Sequence, residues 1–143
     1  MADEQDALPT LDFAGVVRTV MADPETFLRY SAGPDADARE GPSRDFEADV
    51  ELPGWSVTTI AAEPWWTRPV EDWIARRICK YAELGDEEGR RPWLLTGRVV
   101  GRGPDHEPLV VDIRPVAWIG DDAVAEAHRR YHEDFEVGRD SRK

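Results

Sequence analysis

A chain of 143 residues with 41% hydrophobic and 34% charged residues carries enough apolar side chains for one core without disulfides. Its single cysteine, Cys79, excludes an intrachain disulfide and a cysteine-based zinc site, and a net charge of −12 excludes general electrostatic binding of nucleic acid, which needs Lys and Arg against phosphates. No apolar run reaches the ~18 residues of a membrane span, and the acidic start MADEQDALPT lacks a signal peptide's basic and apolar regions, so the chain is expected in the cytoplasm.

Residues 1–7 read as a disordered acidic tail. Thr10 is the expected cap of a first helix in which Phe13, Val16, Val17, Val20 and Met21 recur at helical spacing, and Asp23-Pro24 ends it. FLRYS, Phe27 to Ser31, reads as a strand with Phe27, Arg29 and Ser31 on one face and Leu28 and Tyr30 on the other. Ala32 to Asp49 is rich in Gly, Pro, Asp and Ser, without a period, and reads as a long loop. Short strands are open to it only within Asp45 to Leu52.

Leu52-Pro53-Gly54 signals a turn before a second strand, WSVTTI, Trp55 to Ile60. Ser56, Thr58 and Ile60 share one of its faces. Thr67 is the expected cap of the longest helix, Val70 to Leu84, whose Val70, Trp73, Ile74, Ile78, Tyr81 and Leu84 form an apolar stripe. Asp72 and Arg76 are expected to pair on its solvent side, and Gly85 to end it. Trp93 to Val100 and Leu109 to Ile119 are strands three and four, joined by the loop Gly101 to Pro108. Pro115 splits the fourth strand or sits on an edge. Gly120-Asp121 leads into a last helix, Asp122 to about Glu136, with Val124, Ala127, Tyr131 and Phe135 inward, before a polar tail over 138–143. This order predicts a single α+β domain over 8–137, with a small mixed, mostly antiparallel sheet packed against about three helices. All six tryptophans fall between residues 55 and 118, which places the expected core there.

Charge is uneven. Acid concentrates at the N-terminus and in Asp35 to Glu51, while Arg76, Arg77, Lys80, Arg90, Arg91, Arg98 and Arg102 fall mid-chain. The acid serves solubility or offers a face to a basic protein partner. Abundant Arg, Asp, Ala and Gly suit a high-GC bacterial genome. Neither a P-loop, a dinucleotide glycine fingerprint nor a nucleophile elbow is present, and no base is spaced to serve Ser31, Ser43 or Ser56. His128 and His132 are spaced for one helix face but sit among charged residues, so they read as surface histidines and no metal is expected.

The loop Asp105-His106-Glu107, at the mouth of an apolar strand, reads alone as a polar hairpin turn. In combination it gains meaning. Arg29 in one strand, Ser56-Val57-Thr58 in a second and Asp105-His106-Glu107 before a third resemble the arginine–serine–glutamate branch of the ADP-ribosyltransferase fold, over roughly Thr26 to Ile119. The resemblance implies a nicotinamide dinucleotide (NAD) pocket. In it Glu107 stabilises the oxocarbenium-like ribose, Arg29 holds the pyrophosphate or adenylate ribose, Ser56 and Thr58 orient Glu107 and the nicotinamide ribose, and Trp55, Trp65 or Trp66 stacks on the nicotinamide ring. Such a protein is an active or degenerate transferase or glycohydrolase. Asp105 stands where the family usually has Glu or Gln, so transfer to a protein arginine is not implied. As a whole the chain also resembles a family of small actinobacterial proteins of unknown function. The residues alone leave a second reading open: Arg29 pairs with an acid of Ala32 to Asp49, the hydroxyls bond within the sheet, and the tryptophans are core, as in a non-catalytic acidic interaction module. The oligomeric state is open.

Overall fold

Apolar segments between the glycine- and proline-rich turns become the elements. The computed structural model of the protein describes residues 8–45, 48–80 and 89–133. Strand β1 (Thr10–Leu11) leads into helix α1 (Phe13–Ala22), strand β2 (Phe27–Ser31) and helix α2 (Pro34–Glu40). The short strands β3 (Arg44–Asp45), β4 (Val50–Glu51), β5 (Trp55–Ser56) and β6 (Thr58–Thr59) follow. Helix α3 (Val70–Lys80), the long strands β7 (Arg91–Arg102) and β8 (Pro108–Ile119) and helix α4 (Asp121–Tyr131) complete the order. The domain is α+β as expected, with four helices among the described residues. The expected tails, Gly85 and Phe135 lie outside the described residues.

The β7–β8 hairpin is the spine. β2 adds antiparallel to β7, from Phe27 opposite Leu95 to Ser31 opposite Arg91. β1 adds parallel to β8 at Thr10 and Trp118, which makes the sheet mixed. β5 pairs with β8 through Trp55 and Val110, and β6 pairs with β2 through Thr59 and Phe27. Only Val57 separates β5 from β6, and its N–H donates to the Pro108 carbonyl at 3.1 Å. The expected strand Trp55 to Ile60 is therefore two short pairings that link β2 back to β8 and curl the sheet. Gly54 permits this approach, since a Cβ there would lie 2.6 Å from the Val110 carbonyl oxygen. Pro115 sits inside β8 at a bulge and does not split it. Asp112, at a second irregularity, has φ of 55°.

Strand alternation divides the core in two. Leu28, Tyr30 and Leu94 face helices α1, α3 and α4 and pack with Val16, Ile74 and Ile78. Phe27, Trp93, Leu95, Val110 and Trp118 form the second cluster with Val57. Each fully buried aliphatic side chain contributes about 1.5–3 kcal/mol. The tryptophans supply less of this core than their clustering suggests. Trp73, Trp93 and Trp118 are buried, Trp55 and Trp66 half-buried, and Trp65 is 66% exposed.

Two helix starts differ from expectation. Asp12 caps α1 by accepting the Gly15 N–H at 2.8 Å, because Thr10 is taken up in β1. α3 begins directly after Pro69, so Thr67 is not its cap. Asp72 is buried there and meets Arg68 at 3.7 Å, where a solvent-side pair with Arg76 was expected.

Candidate functional site

β2 carries Arg29 on the same face as Ser31, and α2 answers both. The Arg29 Nε–H donates to Asp37 Oδ2 at 2.6 Å, and the Ser31 hydroxyl donates to the same oxygen at 2.9 Å. Ser31 Oγ in turn accepts the Trp93 indole N–H at 2.9 Å and the Gly33 N–H at 3.1 Å. The Trp55 indole N–H donates to the Asp37 carbonyl at 3.3 Å. Asp37 is 5% exposed, and its carboxylate is answered by Arg29 and Ser31. Arg29 also donates through Nη1 to the Ser56 carbonyl at 2.6 Å. It thus meets an acid of Ala32 to Asp49 and ties β2, α2 and β5 together.

Sequence reasoning missed Asp37, although α2 leaves a trace. Pro34 opens the helix, Asp35 and Asp37 lie in its first turn, Arg39 in its last, and Gly41 follows with φ of 87°. That is the charge and Pro–Gly asymmetry of a short helix.

Ser56 is fixed through its backbone, its N–H bonding to Ser43 Oγ at 2.9 Å. Glu107 lies in the hairpin loop. The Gly103 N–H donates to the Glu107 carbonyl at 2.9 Å, and His106 turns the chain with φ of 64°. The Glu107 carboxylate folds back, accepts the Asp105 N–H through Oε2 at 3.0 Å, and packs over Gly103, where a Cβ would strike it. It is half-buried.

Arg29, Ser56, Thr58 and Glu107, from three stretches far apart in sequence, line one cleft of about 1220 Å³. That is above the roughly 300–1,000 Å³ of ligand pockets. Asp105, His106, Arg77, Lys80, Arg90 and Arg102 also line it. Among the described residues, five Arg and Lys face five Asp and Glu around it. Among the described residues no group of three or more His, Cys, Asp and Glu is arranged to hold a metal ion. No described helix is long and apolar enough to cross a membrane.

Residues 4–142 match a family described as "Family of unknown function (DUF6098)". The chain belongs to that family. No curated protein and no solved structure matches it. In this DUF6098 chain the cleft has a pair-stabilised wall from β2 and α2, and its other described lining includes the Glu107 loop, Arg77 and Lys80 of α3, Arg90, and Arg102 of β7.

Proposed function

We propose that the cleft binds a phosphorylated, nucleotide-sized ligand, with nicotinamide dinucleotide as that ligand and Glu107 as the carboxylate that acts on its ribose. The convergence of Arg29, Ser56, Thr58 and Glu107 on one cleft carries this reading. Arg77, Lys80, Arg90 and Arg102 supply cations for the pyrophosphate. Arg29 uses an N–H of Nε on Asp37 and one of Nη1 on Ser56, so it acts first as a positioning residue and offers its remaining Nη donors to a ligand.

The chemistry proposed is cleavage of the nicotinamide–ribose bond. The bonding pair leaves with the nicotinamide nitrogen, which becomes neutral. Water or an acceptor then adds to the anomeric carbon and loses its proton. A carboxylate beside that carbon stabilises the positive charge that develops there. Glu107 must leave the Asp105 N–H to reach it, so cleavage follows a movement of this side chain. A cytoplasmic setting, where the cofactor is abundant, is part of the same reading.

Millimolar dinucleotide raises the melting temperature of the chain in this reading, and free nicotinamide accumulates slowly. Glu107→Gln keeps the thermal shift and stops the release. Absence of any thermal shift sinks the proposal. The net charge of −12 supports a second reading, an acidic face for a basic protein partner. Salt-sensitive retention of such a partner, with no response to the dinucleotide, would favour that reading instead.

A further inference from the structure

An aromatic cluster at the start of α3 lies outside the lining of the large cleft. Trp65, Trp66 and Trp73 meet edge to face, with ring centroids 5.4 Å apart for Trp65 and Trp73, 5.0 Å for Trp66 and Trp73 and 6.2 Å for Trp65 and Trp66. Trp66 is half-buried, and its indole N–H donates to the Pro69 carbonyl at 3.0 Å. Trp65 is held by both neighbours yet stays 66% exposed. An indole oriented in advance and left open is arranged to receive another ring at little ordering cost.

Beside it lies a second pocket of about 200 Å³, lined by Trp65, Trp73, Arg76, Arg77 and Lys80. Arg77 and Lys80 line the large cleft as well, so the two spaces share a wall. Arg77 stands over the Trp73 ring at 4.9 Å. Among its described lining residues the small pocket thus combines an exposed indole with three basic side chains.

We propose that this pocket is a base subsite and that it takes the neutral purine end of the dinucleotide, not the nicotinamide end. The proposal rests on the reading of the large cleft as a dinucleotide site. Charge decides the orientation. The oxidised nicotinamide ring is a cation, and Arg76, Arg77 and Lys80 repel it. Adenine is neutral, stacks on indole and guanidinium planes, and brings its phosphate beside the cations. Arg77 and Lys80 then lead the pyrophosphate into the large cleft, where Ser56, Thr58 and Glu107 meet the other ribose.

The test is a tryptophan-fluorescence titration of the full chain with adenosine monophosphate and, separately, with oxidised nicotinamide mononucleotide. Adenosine monophosphate quenches the wild-type signal. Trp65→Ala, at an exposed position that leaves the fold intact, weakens adenosine monophosphate at least tenfold and leaves the nicotinamide mononucleotide unchanged. A loss confined to the nicotinamide mononucleotide overturns the orientation. Unchanged affinity for both in Trp65→Ala overturns the subsite, while a thermal shift of that variant by the whole dinucleotide keeps the cleft reading. If the dinucleotide fails to shift the wild-type chain, the cleft reading falls and takes this one with it.

Discussion

Nε of Arg29 lies 2.6 Å from Oδ2 of Asp37, and this pair fastens strand β2 to helix α2. Both side chains are largely withdrawn from water, at 17% and 6% exposure. Removing the cation leaves a buried carboxylate with one hydroxyl for company. Arg29→Met is expected to cost about 3–5 kcal/mol in urea unfolding, the scale of breaking a buried pair. Arg29→Met combined with Asp37→Asn should cost less than the sum of the two single changes, because neither partner is then stranded. Additive losses would show that the two side chains do not act as a unit.

That pair also marks where the sequence stopped being legible. The segment β2, the stripe of α3 and the β7–β8 hairpin follow from periodicity, since each buries one face over many residues. α2 has seven residues and offers no apolar stripe, with Ala36 its only buried hydrophobic side chain. It is held by the Asp37 contacts, which are tertiary and have no local period. Trp55 to Ile60 alternates as one strand would, but its pairing passes from β8 to β2 across Val57, and alternation does not reveal a change of partner. β1 is two residues long and exists through β8. That Arg29, Ser56, Thr58 and Glu107 line one cleft is a relation between segments, which no single segment displays. That Arg29 would be held by Asp37 and Ser56, and Glu107 by its own loop, depended on distances between segments.

Two buried tryptophans differ in one hydrogen bond. The Trp93 indole N–H donates to Ser31 Oγ, whereas the Trp73 N–H is buried with no acceptor. An unpaired buried donor costs roughly 1–3 kcal/mol. Replacing Trp73 by Phe removes that cost and offsets part of the lost packing. Trp73→Phe is therefore expected to lose about 1 kcal/mol, and Trp93→Phe about 2 kcal/mol more. Thermal unfolding of the two variants side by side checks the order. A reversed ranking would mean that packing alone governs both sites.

α4 contributes a dependence on acid. Glu126 meets Arg129 and, at 3.1 Å, Arg130 on the same helix. Its hydrogen bond to Arg129 is the main reason its carboxyl sits below the ordinary carboxylate range; burial opposes this, and the charges of Arg129 and Arg130 and the Arg130 hydrogen bond add to the lowering. A folded-state value below the unfolded one means that the contribution is present above the unfolded value and is lost as pH falls through the folded value. The group faces water, so the effect is small. Glu126→Gln should remove this small contribution at neutral pH and leave stability in acid nearly unchanged, so that the variant and the wild-type chain converge as pH falls below about 4. Carbon NMR titration of the Glu126 carboxyl reads the shift directly, and an ordinary value there would remove the basis for the prediction.

Gly103 and Glu107 set the resting state of the proposed site. A Cβ at residue 103 would meet the Glu107 carboxylate, which is the far end of a flexible side chain and not backbone. Gly103→Ala should therefore turn Glu107 out of the loop and break its bond from the Asp105 N–H. The backbone stays in place, and the stability loss is expected to be under about 1 kcal/mol. If Glu107 works on the ribose only after leaving the loop, this variant releases nicotinamide at least as fast as the wild-type chain, while Glu107→Gln releases none. The released rotamer no longer has to be reached against the Asp105 bond, so any gain appears in kcat and not in KM. A Gly103→Ala rate as low as that of Glu107→Gln would mean that the folded-back carboxylate is already the working one. The dinucleotide's ribose would then have to lie against the loop itself, next to Asp105.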